Sequence, residues 1–157
     1  MKYTKTKKYK LLDIACIISL VFTAVFIIIK WDSIPDIIPT HYGVNGADSY
    51  GSKTSIWFTY VIAVICYVVF KVVFLIPPEK WNMPVKITDE NRDKAISLTY
   101  EMIQVFQLES IWIVLYIVLC QGANVEPNIL FIILASIFVP MLTLVFYMIR
   151  FSFMRKN

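Results

Sequence analysis

Four long apolar runs alternate with short polar segments along this chain. Residues 14–29 carry no charge, and the run widens to 11–31 if Asp13 sits at a membrane edge. The only charge in 55–76 is Lys71, and the only charges in 95–120 are Glu101 and Glu109. Residues 128–149 are uncharged throughout. A hydrocarbon layer of about 30 Å takes about 20 helical residues, so each run predicts one crossing. Open strands are excluded from lipid because their unpaired amides are too costly there. The expected fold is therefore an all-α integral membrane protein. Its four transmembrane helices, at 11–30, 55–76, 95–120 and 128–149, form an antiparallel bundle and one domain, 1–157. The connection at 121–127 is short, which makes the last two helices antiparallel neighbours.

Local signals refine the boundaries. Ser52 or Thr54 is the expected N-cap of the second helix, and Pro77-Pro78 ends it. Thr88 or Asp89 opens the third helix, with acidic residues favourable in its first turn. Pro140 is expected to kink the fourth helix and to free the carbonyl of Ser136. The first run begins basic, as a signal peptide would. No small-x-small cleavage pattern follows Ile29, so the run is read as a retained span.

Composition agrees: 59% of residues are apolar and 17% charged, too little polar surface to wrap a soluble core. Charge then sets orientation. The N-terminal segment holds Lys2, Lys5, Lys7, Lys8 and Lys10, the 77–94 loop Lys80, Lys86, Arg92 and Lys94, and the C-terminal segment Arg150, Arg155 and Lys156. The opposite side has only Lys30 and Lys53. Positive charge stays inside, which puts both termini in the cytoplasm and the 31–53 loop outside. Lys71 lies about one turn from its helix end and is expected to snorkel. The net charge of +4 is explained by topology and anionic lipid, and no nucleic-acid partner is expected. Cys16, Cys66 and Cys120 are too far apart in sequence to suggest a disulfide framework or a zinc site.

The 31–53 loop concentrates the polar chemistry. It holds the single histidine, His41, with Asp32, Asp36, Asp48 and the glycines 43, 46 and 51. Asn45-Gly46 favours a tight turn with positive φ. Three readings stand. The loop is an ordered cap whose side chains satisfy turn amides, a surface that recognises a peptide or lipid, or an oxygen-donor cation site. One histidine without cysteines is poor zinc chemistry, and no metal or other cofactor is expected.

The block from Trp31 through Ile38-Pro39-Thr40-His41, Asn45-Gly46 and Asp48 to Tyr50-Gly51-Ser52-Lys53 resembles the signature of a bacterial membrane family. That family is the domain of unknown function 1648, found in SdpI-like immunity proteins. The 82–91 stretch, with Asn82-Met83-Pro84-Val85, resembles its cytoplasmic segment, so the resemblance covers about 10–120. The resemblance implies protection against a secreted antimicrobial peptide, or a receptor-like sensor that holds a regulator. It makes Trp31, Pro39, Thr40, His41, Asn45, Gly46, Asp48 and Lys53 the candidate recognition residues. Related members look longer, with further spans after the shared region.

The third helix carries a second polar set. At 100° per residue Ser97, Tyr100, Glu101, Gln104 and Gln107 share a sector, while Glu109 points away from it. Glu109 lies about 18 Å along the helix from Ser97, near mid-membrane. An ionised carboxylate there costs about 2.5–3.5 kcal/mol on insertion scales. Glu109 is therefore expected to be protonated, paired or hydrated, and the Ser136 carbonyl is a candidate partner. Two opposed polar faces cannot meet the same neighbour; a second copy of the chain is one candidate for the outer one. No nucleophile is spaced to His41 and no phosphate loop is present, so no enzyme is expected. The leading expectation is an immunity or sensor protein of the bacterial cytoplasmic membrane, with membrane lipid as a partner. The alternative is a small proton- or cation-coupled transporter using Glu109.

Overall fold

The computed structural model describes residues 7–43 and 45–154. Lys2, Lys5, Arg155 and Lys156, used above for orientation, lie outside the described residues. The elements in order are α1 (Lys7–Lys30), β1 (Ile37–Gly43), β2 (Gly46–Ser52), α2 (Ser55–Val73), α3 (Arg92–Ala123) and α4 (Ile129–Met154). Short 3₁₀ turns occupy Trp31–Ser33 and Pro78–Lys80. All four helices are long and apolar enough to cross a membrane, consistent with a multi-pass membrane protein.

The all-α expectation is corrected at one place. Residues 37–52 form an antiparallel hairpin in which Ile37 pairs with Ser52 and Gly43 with Gly46. The exclusion of strands holds for backbone exposed to lipid. This segment lies between the ends of two apolar helices, and its amides pair within the hairpin.

α3 is the hub. It packs against α1, α2 and α4, while α1 and α2 lie closer to α3 than to each other and meet through long side chains. Between α1, α2 and α3 the core is Cys16, Leu20, Ala63, Ile111 and Leu115. Toward the hairpin it continues as Ile27, Ile34, Ile38, Ile56 and Val118. A separate cluster of Ala95, Leu98, Tyr147, Phe151 and Met154 joins α3 to α4. Along the rest of α4, large apolar side chains such as Leu130, Leu142 and Phe146 stand open. A water-soluble fold rarely leaves so wide an apolar face uncovered; lipid is its natural solvent.

Helix ends differ from the sequence boundaries for local reasons. α3 starts at Arg92, not at Thr88 or Asp89. The Thr88 amide donates to Asn91 Oδ1 (2.9 Å) and the Asn91 amide to Thr88 Oγ1 (3.3 Å), which closes a turn first. α3 ends at Asn124, in the left-handed region at φ 53°, where the amide of Val125 returns to the Cys120 carbonyl at 2.9 Å. Asn128 caps α4 by accepting the Phe131 amide at 2.9 Å. α2 ends at Val73, ahead of the two prolines. Thr54 makes no side-chain cap there; its amide (3.3 Å) and its hydroxyl (3.0 Å) both donate to Ser52 Oγ. In the segment between α2 and α3, Glu79 meets Arg92 at 2.5 Å. Its own backbone amide, then the Arg92 guanidinium, hold Glu79 below the usual carboxylate range.

Candidate functional site

The hairpin is irregular beyond Pro39. Pro39 itself sits where a missing amide costs the ladder nothing, because its carbonyl faces away from β2 toward Gln121 of α3. Pairing steps from Pro39–Tyr50 to His41–Ser49, which leaves Thr40 as an extra residue on β1. It then steps from His41–Ser49 to Tyr42–Ala47, which leaves Asp48 extra on β2. The two bulges offset each other and restore the register at Gly43–Gly46. They also bring His41 and Asp48 side by side, with Nδ1 to Oδ1 at 2.5 Å. Both side chains are more than half exposed, at 68% and 53%. Thr40 Oγ1 reaches Ser49 Oγ at 3.4 Å. A Cβ on Gly43 would come within 2.6 Å of Asp48 Oδ2, so a side chain there displaces that exposed carboxylate. Positive φ falls on Gly46, at 106°, and Asn45 is exposed in the turn.

The base of the hairpin is clamped to the helices. Lys53 Nζ meets Asp36 Oδ1 at 3.0 Å and lies 5.3 Å from the Trp31 ring centre. Trp31 packs against Trp57, which meets Tyr60 edge-on. Gln121, buried near the end of α3, donates from Nε2 to the Pro39 carbonyl at 2.9 Å. Tyr42 turns its hydroxyl inward; burial pushes that group up to about 12, so it stays neutral at physiological pH. Ile34 and Ile38 are buried under the strands.

The candidate loop residues thus separate into two groups. His41 and Asp48, with Thr40 above Ser49, form an exposed polar ridge, and Asn45 and Gly46 make the turn. Trp31, Pro39 and Lys53 belong to the clamp. Sequence reasoning missed Gln121, Tyr42 and Ser49, because the strand register and a distant helix end decide what Gln121 and Ser49 meet and which way Tyr42 turns. Among the described residues no three side chains of His, Cys, Asp or Glu converge.

The polar set on α3 also resolves into separate environments. Gln104 and Gln107 are fully buried. Gln104 donates from Nε2 to Gln107 Oε1 (2.6 Å), and Gln107 Nε2 donates to the Tyr67 carbonyl of α2 (3.1 Å). The Tyr67 hydroxyl donates to Asp13 Oδ1 at 3.0 Å, and Asp13 is paired with Lys71. Lys71, expected to snorkel, meets Asp13 and the Tyr9 hydroxyl near the start of α1, with the Tyr67 ring centre 5.1 Å away. Glu101 is a clamp, taking Lys8 of α1 at 3.0 Å and Arg150 of α4 at 3.3 Å.

Glu109 faces away from that network. Its Oε1 accepts the Thr143 hydroxyl of α4, which corrects the expected Ser136 carbonyl, and its buried Oε2 has no partner among the described residues. Ser136 and Thr143 lie on one face of α4 about two turns apart, so the expected face was right and the level was not. Beside Glu109 runs an apolar groove of about 550 Å³ between α1, α3 and α4.

Residues 18–64 match the model of a family described as a domain of unknown function, DUF1648. The match runs from within α1 through the whole hairpin into α2. The 82–91 stretch lies beyond it. No curated protein and no solved structure matches the chain.

Proposed function

We propose that this chain is a four-span protein of a bacterial cytoplasmic membrane, SdpI-like, and of the immunity or sensor type. Its hairpin engages a secreted antimicrobial peptide or an envelope component. The helices alternate in direction as an antiparallel bundle, with both termini in the cytoplasm. The Glu101 clamp supports that arrangement, since it joins the start of α1 to the last turns of α4. So does Gln121, which ties the far end of α3 to the hairpin. The basic residues gather at the Glu101 end.

One observation carries the functional reading. A polar hairpin is held rigidly on an otherwise lipid-adapted helix assembly, yet its His41–Asp48 pair is turned outward. A cap that only closed the helix mouth would need Gln121, Lys53 and the buried isoleucines, but not an exposed ridge. Deleting the gene and challenging cells with a panel of antimicrobial peptides tests the proposal. Increased sensitivity to at least one peptide is expected, restored by the wild-type chain and not by His41→Ala. Unchanged sensitivity across the panel removes it.

A second reading, a proton- or cation-coupled transporter, is favoured by the half-satisfied carboxyl of Glu109. It predicts ion-driven flux in liposomes that Glu109→Gln abolishes. Equal flux in both forms ends that reading.

A further inference from the structure

The groove beside Glu109 has a composition that plain lipid packing does not require. We propose that it binds a lipophilic cation, a quaternary ammonium or phosphonium with apolar arms. Glu109, Trp112 and Tyr116 are spaced i, i+3 and i+7 on α3 and share one face, about 10 Å long. Phe22 of α1 and Phe131 of α4 complete the aromatic wall. The rings are positioned in advance. The Trp112 indole donates to Ser19 Oγ at 3.0 Å, the Tyr116 hydroxyl accepts the Asn128 amide at 3.0 Å, and Tyr116 meets Phe131 edge-on at 5.0 Å. Preset rings lose little freedom on binding. The volume of about 550 Å³ is that of a small-molecule site.

Charge selects the occupant. Glu109 is the only charged residue type in the lining, which holds no Lys, Arg or His. An acyl chain would fill the apolar wall but leave a buried carboxyl oxygen with nothing to satisfy it. A cation offsets the carboxylate and lies against aromatic faces at the same time, an arrangement that strengthens as water is excluded. A quaternary centre needs no hydrogen-bond acceptor, which suits a wall whose Ser19 hydroxyl, Trp112 indole and Tyr116 hydroxyl are already engaged.

The site is independent of the hairpin reading, and binding alone does not require transport. Equilibrium dialysis of radiolabelled tetraphenylphosphonium against the full chain in nanodiscs at pH 8 tests it. Tetraphenylborate, of the same shape and opposite charge, is the control. Saturable binding of the phosphonium alone is expected, weakened about tenfold or more by Glu109→Gln and severalfold by Trp112→Leu. Equal binding of the borate on the wild-type chain, absence of saturable binding, or full binding by a folded Glu109→Gln protein overturns the proposal. Binding with no ion-driven uptake in liposomes keeps the site and removes only the transporter reading.

Discussion

Gln107 and Glu109 stand two residues apart on α3 and face opposite ways. Gln107 has both ends of its amide engaged, in a network that runs from Gln104 through the Tyr67 backbone and hydroxyl to Asp13 and Lys71. Glu109 lines a groove; one of its oxygens has a hydroxyl partner, and the other is buried with none among the described residues. Both are polar groups among apolar helices. The network bonds its members to one another, Gln104 Oε1 alone lacking a partner among the described residues, and it ties α1, α2 and α3 together. The half-open carboxyl leaves part of its chemistry for something else. The network borders the apolar cluster around Leu20, Ala63 and Ile111, and with it braces α1, α2 and α3.

If that contrast is right, substitutions in the network cost stability and substitutions at the groove do not. The largest effect is expected at Lys71→Met, which strands the Asp13 carboxylate. The loss is about 2–3 kcal/mol, below the value for a fully buried pair because both side chains are about a quarter exposed. Adding Asp13→Asn should recover most of it. Unfolding in mixed SDS micelles measures both, and no recovery in the double variant would show that packing rather than charge dominates. Gln107→Leu removes one acceptor and one donor from the network, for about 1–2 kcal/mol at the modest worth of hydrogen bonds in membranes. Gly122→Ala belongs in the same range. Its new Cβ would sit 2.7 Å from the Phe26 ring, so the ring must move or the helices part. Against these, Glu109→Gln keeps an acceptor for Thr143 and should shift stability by less than about 0.5 kcal/mol. A loss from Glu109→Gln as large as that from Gln107→Leu would erase the distinction between brace and site.

How much of this could be read beforehand follows from the range of each interaction. The spans are a property of residue runs, and each coincides with a helix found, the second overrunning α2 at its end and the fourth beginning just before α4. Helix starts moved where a side chain closed a turn first, as Thr88 and Asn91 do. The hairpin was invisible to the span argument, which treats a polar stretch between apolar runs only as loop, and its bulges are a matter of register that nothing local announces. The outward turn of Glu109 was legible because helical phase is local. Its partner was not, because depth along α4 depends on how far two helices slide past each other. The Asp13–Lys71 pair depends on two helices remote in sequence meeting, and nothing local announces it.

The smallest stability effect is expected at the hairpin ridge, and there the comparison is sharpest. His41 and Asp48 are mostly exposed, so their pair is screened and adds little to the fold. His41→Ala and Asp48→Asn should each leave unfolding within about 0.5 kcal/mol of wild type. Gly43→Ala should act on the same pair from behind, because its methyl group would occupy the place of Asp48 Oδ2. If the ridge only supports the fold, protection against peptide should follow stability, and these three variants should protect as well as wild type. If the ridge recognises a ligand, all three should lose protection while remaining folded, and Lys71→Met rescued by Asp13→Asn should keep it. Peptide sensitivity measured beside unfolding in one variant set separates the two cases, because no change in the brace can imitate a folded protein that no longer protects.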